Sequence, residues 1–170
     1  MDVLLICARV LHVFLGVFWA GTLIFIATFM GPSVRDAGPD GAKVMAGLMR
    51  RRFLDIMPAA AVLTVLSGLY LYWRVSGGFE PEWMGSAAGM TYGIGAVAAL
   101  IALGLGLGIL RPAMLKAAAL GQSVAGAPPE ERDRALAAAQ ALRARAGAVG
   151  QVIAVLLAIA VITMAIARYV

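Results

Sequence analysis

Four long apolar stretches, separated by polar, charged or glycine- and proline-rich breaks, organise this chain. The first runs from Val3 to Met30 with Arg9 as its charged interruption, and Gly31-Pro32 ends it. The polar run Ser33 to Gly41 follows, in which Pro39-Asp40-Gly41 reads as both a turn and a helix start. Helix two then begins outside the bilayer, with Lys43, Arg50, Arg51, Arg52 and Asp55 in its first turns. Its membrane part covers Ile56 to Trp73, and Pro58 sits where a kink is expected. Ser76-Gly77-Gly78 closes it. After the loop Phe79 to Trp83, span three runs from Gly85 to Leu110 and continues as a helix past Arg111-Pro112 to Leu120. Gly121 to Pro129 is the next loop. Pro128-Pro129-Glu130-Glu131 has the composition of a helix N-terminus, and the alanine-rich helix beyond it carries Arg132, Arg134, Arg143 and Arg145 before its membrane part, Ala146 to Ala167.

Each membrane part supplies roughly the 20 apolar residues needed to cross a ~30 Å hydrocarbon core. The pattern predicts an all-α, integral membrane up-down four-helix bundle. It forms a single transmembrane domain over residues 1–170, with helices two, three and four extending into the cytoplasm. Composition agrees, since 62% of the residues are hydrophobic, which excludes a soluble domain of this length. The first stretch is too long for a signal peptide, carries Asp2 where a basic segment is expected, and lacks a small-x-small cleavage site, so it is expected to stay as a span.

Charge then orients the bundle. Arg35, Lys43, Arg50, Arg51 and Arg52 lie between spans one and two, and Arg111, Lys116, Arg132, Arg134, Arg143 and Arg145 between spans three and four. The other side has Arg9, Arg74 and Arg168. The basic loops are expected in the cytoplasm, which leaves both termini of a multi-pass protein outside. The net charge of +5 follows from this bias, and points to lipid headgroups of the bilayer as partners and not to nucleic acid.

Chemistry concentrates on His12, the one histidine of the chain. An ionisable group inside a span is costly and faces a protein interior, a water path or a cofactor. The plain alternative is a hydrogen bond between helices. A single histidine and a single cysteine, Cys7, exclude an intramolecular disulfide and a multi-histidine or cysteine metal cluster within one subunit. Cys7 is expected to be a buried, inert thiol. At helical spacing His12, Gly16, Trp19 and Leu23 share a face, with Gly16 leaving room for something flat beside the imidazole. A haem suits one axial imidazole, a small-residue cleft and cations near its propionates, so His12 is the expected metal ligand. Arg9, one turn from His12, together with Arg74 and Arg168 at the same end, are the candidate propionate partners. The second axial position stays open among Met57, Met90, Met164, no ligand, or a haem shared between two subunits.

Leu11-His12-Val13 with Gly16, Trp19, Gly21 and Phe25 resembles the first helix of a group of small bacterial membrane proteins. That group includes the copper-resistance protein D family, related uncharacterised families and the HemJ-type protoporphyrinogen oxidases. Met49-Arg50-Arg51-Arg52-Phe53, then Ile56-Met57-Pro58, Thr64 and Gly68-Leu69, is similar to the second helix of the HemJ type, and the resemblance covers about the first 75 residues. It implies binding of haem b, with His12 as an axial ligand. Helix three, Met90-Thr91-Tyr92-Gly93-Ile94-Gly95, carries neither the lysine nor the further histidine of the oxidases.

The expectation is therefore a b-type haem-binding membrane protein with a redox or electron-transfer role. One alternative is a non-enzymatic accessory subunit, in a homodimer or a larger membrane complex, packing through the ladder Gly85, Gly89, Gly93 and the pair Gly104, Gly108. The other is copper handling.

Overall fold

The computed structural model describes residues 2–123 and 128–170. Among them there is no strand. Helix α1 spans Val3–Phe25, α2 Gly31–Asp36, α3 Gly38–Arg50, α4 Phe53–Val75, α5 Pro81–Met84, α6 Ala87–Leu105, α7 Arg111–Ser123 and α8 Pro129–Ile166. Among the described residues four continuous helical lengths are long and apolar enough to cross a membrane: Val3–Asp36, Phe53–Val75, Ala87–Gln122 and Pro129–Tyr169. The chain is thus an all-α bundle of the multi-pass membrane type.

The four lengths run up and down. At one end Asp2 caps α1, accepting from the Leu5 N–H at 3.2 Å, and binds Arg74 at the end of α4 at 2.6 Å. The closing turn Ala167–Tyr169 packs on α6 at that same end. At the opposite end Arg111, opening α7, meets Asp55 in the first turn of α4. Helix α1 packs on α4 and α8, and α6 packs on α8 and α4, so the order around the bundle is α1, α4, α6, α8.

Packing inside this bundle is built from small side chains. Ala20, Ala61 and Ala102 are buried with Trp19, Ile153 and Leu157 where all four helices meet, and Ala60, Ala98, Ala154 and Ala160 extend the seams. Most other large apolar residues point outward, with Phe14 and Val17 each 69% exposed. This is the arrangement expected in lipid: hydrocarbon tails are as apolar as leucine, so association rests on close van der Waals contact, which alanine and glycine permit.

Three expectations need correction. Helix one does not stop at Gly31-Pro32. A π-helical turn, Ile26–Met30, with the Gly31 N–H bonded to the Ile26 carbonyl, carries the helix into α2. A proline ring collides with the carbonyl four residues earlier, and a widened turn just before it relieves that collision. The same device recurs at Gly106–Leu110, ahead of Pro112, where the helix does continue as expected. Second, helix two is not one rod. It breaks between α3 and α4 at Arg51 and Arg52, the latter in the left-handed conformation with φ 58°.

Third, the ladder of helix three is not one outward face: Gly85 is exposed and precedes α6, while Gly89 and Gly93 are used inside the fold. A Cβ on Gly89 would collide with the Trp83 carbonyl, and one on Gly93 would stand 3.6 Å from the Tyr72 hydroxyl, whereas Gly104 and Gly108 meet nothing within 4 Å. Of the loop expected over Gly121 to Pro129, Gly121–Ser123 belong to α7, and 124–127 lie outside the described residues.

Candidate functional site

His12 sits on the face of α1 that packs against α4. Its Nδ1 lies 2.8 Å from the backbone oxygen of Thr64. A carbonyl only accepts, so Nδ1 carries the hydrogen, and in the neutral ring Nε2 presents its lone pair. The ring can lie this close because α4 has Gly68 at the crossing. A Cβ there would stand 2.7 Å from Cε1 and 3.0 Å from Nδ1 of His12. One turn along α1 the roles exchange, and the missing Cβ of Gly16 would stand 3.5 Å from Thr64 Cγ2. The room that Gly16 was expected to leave for a flat ligand is filled by α4.

The remaining polar groups at this crossing are satisfied locally. Thr64 Oγ1 donates to the Ala60 carbonyl at 2.8 Å, and Ser67 Oγ to the Leu63 carbonyl at 2.6 Å. Nε2 of His12 is the exception. It makes no hydrogen bond, and among the described residues no unpaired side-chain nitrogen or oxygen is sealed inside the bundle, so Nε2 keeps some exposed surface.

The other expected site residues scatter. Trp19 is buried at the meeting point of the four helices, beside a space of about 40 Å³ also lined by Met57, Ala102 and Ile153, which is far too small for a macrocycle. Arg9 is exposed on the outward face of α1, beside Val10, Val13, Phe14 and Val17. Arg74 is taken by Asp2 at 2.6 Å, and the Arg168 guanidinium sits 5.1 Å from the centre of the Tyr169 ring. Of the methionines, Met57 is buried in the core, Met164 packs where a Cβ of Gly95 would be, and Met90 is 55% exposed. Cys7 is exposed, contrary to the buried thiol expected, because it lies on the outward side of α1. Asp55 pairs most closely with Arg111 at 3.0 Å, with Arg52 at 3.7 Å.

Among the described residues no three His, Cys, Asp or Glu side chains come together as a metal cluster. A b-type haem asks for less, one imidazole with its other nitrogen fixed, and His12 meets that requirement: the Thr64 carbonyl orients the ring as second-shell acceptors orient ligating histidines. Thr64 and Gly68 stood in the sequence only as parts of the second-helix resemblance. Their roles against His12 come from the fold, across 52 residues of chain in the case of Thr64. No protein family, curated protein or solved structure matches this chain.

Proposed function

We propose that this multi-pass membrane protein of the bacterial cytoplasmic membrane binds one b-type haem through Nε2 of His12 and serves in electron transfer, with both termini on the outer side. One observation carries the reading. The imidazole is held by Nδ1 while Nε2 stays unbonded and accessible inside a membrane span, where an unpartnered polar nitrogen is costly. When bound, the haem would supply reversible one-electron chemistry at its iron. The chain's own contribution is positional: Thr64 fixes the tautomer and the ring plane, and Gly68 and Gly16 allow the helices to close on the ring. The orientation is supported by the ends of the bundle. Arg50, Arg51, Arg52, Arg111 and Lys116 gather at one end, while Asp2, Glu80 and Glu82 lie at the end with the termini.

A second reading is favoured by the same hydrogen bond. His12 ties α1 to α4 whether or not anything binds Nε2, which suits an accessory subunit without a cofactor. Absorption spectroscopy of protein purified from haem-replete cells separates the two. A Soret band that is lost in His12→Ala and kept in Cys7→Ser supports haem ligation. A colourless native protein, or a band indifferent to His12, leaves the accessory reading.

A further inference from the structure

We infer that a slot between α4 and α6 binds a lipid-soluble quinone, one ring carbonyl accepting from the indole N–H of Trp19. Trp19 is 4% exposed, and its Nε1 finds no acceptor among the described residues. A buried tryptophan usually has a partner for that hydrogen, and within a membrane span there is no bulk water to replace one. No unpaired side-chain nitrogen is sealed inside the bundle, so Nε1 keeps a little surface, and the space that Trp19 borders is this slot.

The slot follows from what flanks it. Helices α4 and α6 are tied at both ends of their seam, by the Tyr72 hydroxyl donating to the Gly89 carbonyl at 3.2 Å and by Arg111 Nε donating to the Leu54 carbonyl at 2.9 Å. Between these ties the facing residues are small, Ala61 on one side and Ala102 and Gly106 on the other, and a gap of about 40 Å³ remains. Trp19 from α1 and Ile153 from α8, both buried, close it from behind. Pro58 and Leu107, the latter 41% exposed, stand at its lip, so it opens outward between α4 and α6.

Chemistry narrows the occupant. Water is a poor fit, because it needs about two to four polar partners and the slot offers one free donor. Arg111, the other lining side chain with N–H groups, is engaged by Leu54 and Asp55. An acyl chain fills the gap but leaves the indole hydrogen unpaired, and a carboxylate would bury its charge among apolar side chains. A neutral ring carbonyl meets each condition. The gap takes the oxygen-bearing edge of a flat ring, and the rest of the ring lies with its tail in the seam toward lipid. Trp19 is two turns along α1 from His12, so this site stands apart from the imidazole and does not depend on the haem reading.

The indole hydrogen itself reports occupancy. In full-length protein carrying isotope-labelled tryptophan in nanodiscs, the indole N–H resonances of Trp73 and Trp83 are internal controls, and Trp19→Phe assigns the remaining signal. Duroquinone is titrated against durene, the same tetramethyl ring without oxygens. Duroquinone is expected to move the Trp19 proton downfield in a saturable way, with no change at Trp73 or Trp83, and durene to leave it in place. Gly106 lines the gap and a Cβ there meets nothing within 4 Å, so Gly106→Leu fills the space without a clash and should abolish the shift. Gly104→Leu, equally free of contacts but outside the slot, should keep it. No shift with duroquinone overturns the assignment, as does an equal response to durene or a shift that survives Gly106→Leu.

Discussion

Arg111 supplies the hydrogen that Pro58 lacks. In α4 the carbonyl of Leu54, four residues before Pro58, has no helical N–H to accept from, and the Arg111 Nε donates to it at 2.9 Å. The same guanidinium binds Asp55 through Nη2 at 3.0 Å, so one side chain joins the start of α7 to the first turn of α4.

The first prediction follows from this arrangement. Arg111→Met is expected to cost about 1–2 kcal/mol of bundle stability, one hydrogen bond plus a half-exposed ion pair. In a Pro58→Ala background, which restores the missing N–H, the cost should fall by about half. Arg134→Ala, whose pair with Glu130 spans 3.9 Å at more than 80% exposure, should change nothing measurable. Equal costs of Arg111→Met in both backgrounds, measured by reversible unfolding in detergent, would refute the coupling.

A second prediction tests the crossing of α1 and α4. Gly68→Ala puts a carbon 2.7 Å from His12 Cε1, so the ring must turn away from Thr64 or the helices must part. We expect a loss of about 1–3 kcal/mol, as for other overpacked contacts, together with a shifted or weakened Soret band. Gly104→Ala, which meets nothing, serves as the control. If both variants behave alike, the close approach at Gly68 has no energetic weight.

Topology gives a third. Ser76 is a poor reporter of the outer side, being buried with its hydroxyl accepting from the Phe79 N–H at 2.9 Å. Glu80 and Gln122, both exposed at opposite ends, are better. In a Cys7→Ser background, Glu80→Cys should react with an impermeant thiol reagent in intact cells and Gln122→Cys only after lysis. The opposite order would invert the assigned orientation.

The fourth prediction concerns catalysis. Oxidation of a porphyrinogen needs a proton acceptor near the substrate, and Asp55 is held by Arg111 at the end of the bundle away from the termini, while His12 is committed to α4 through Nδ1. The purified protein is expected to bind haem and not to oxidise protoporphyrinogen, nor to rescue a strain lacking that activity. Rescue dependent on His12 would place the chain among the oxidases.

How far these features could be read from the chain depends on their range. The four spans, the continuation past Arg111-Pro112 and the shared face of His12 and Gly16 are written in local hydrophobicity and periodicity. The passage through Gly31-Pro32 is not, because proline signals a stop unless a π turn absorbs it, and a π turn has no sequence mark of its own. The break at Arg52 is equally silent: a left-handed residue at a helix end is usually glycine or asparagine. Helical spacing offers Arg51 and Arg52 to Asp55, but its closest partner, Arg111, comes from 56 residues away. Spacing likewise stacks Arg9 one turn from His12, whereas the structure leaves Arg9 exposed on the outward face of α1.

The paired π turns also bear on which insertions and deletions this chain can survive. In a regular helix the loss of one residue rotates everything beyond it by about 100°, which would carry Trp19 or Ile153 off the faces they pack on. Within Ile26–Met30 and Gly106–Leu110 the turn already holds one residue more than an α-helical turn needs. Removing one residue there, with Pro32 or Pro112 changed to alanine, shortens the wide turn to an ordinary one and leaves the flanking faces in phase. Length variation among sequences sharing this fold should therefore collect at these two places inside otherwise uninterrupted helices.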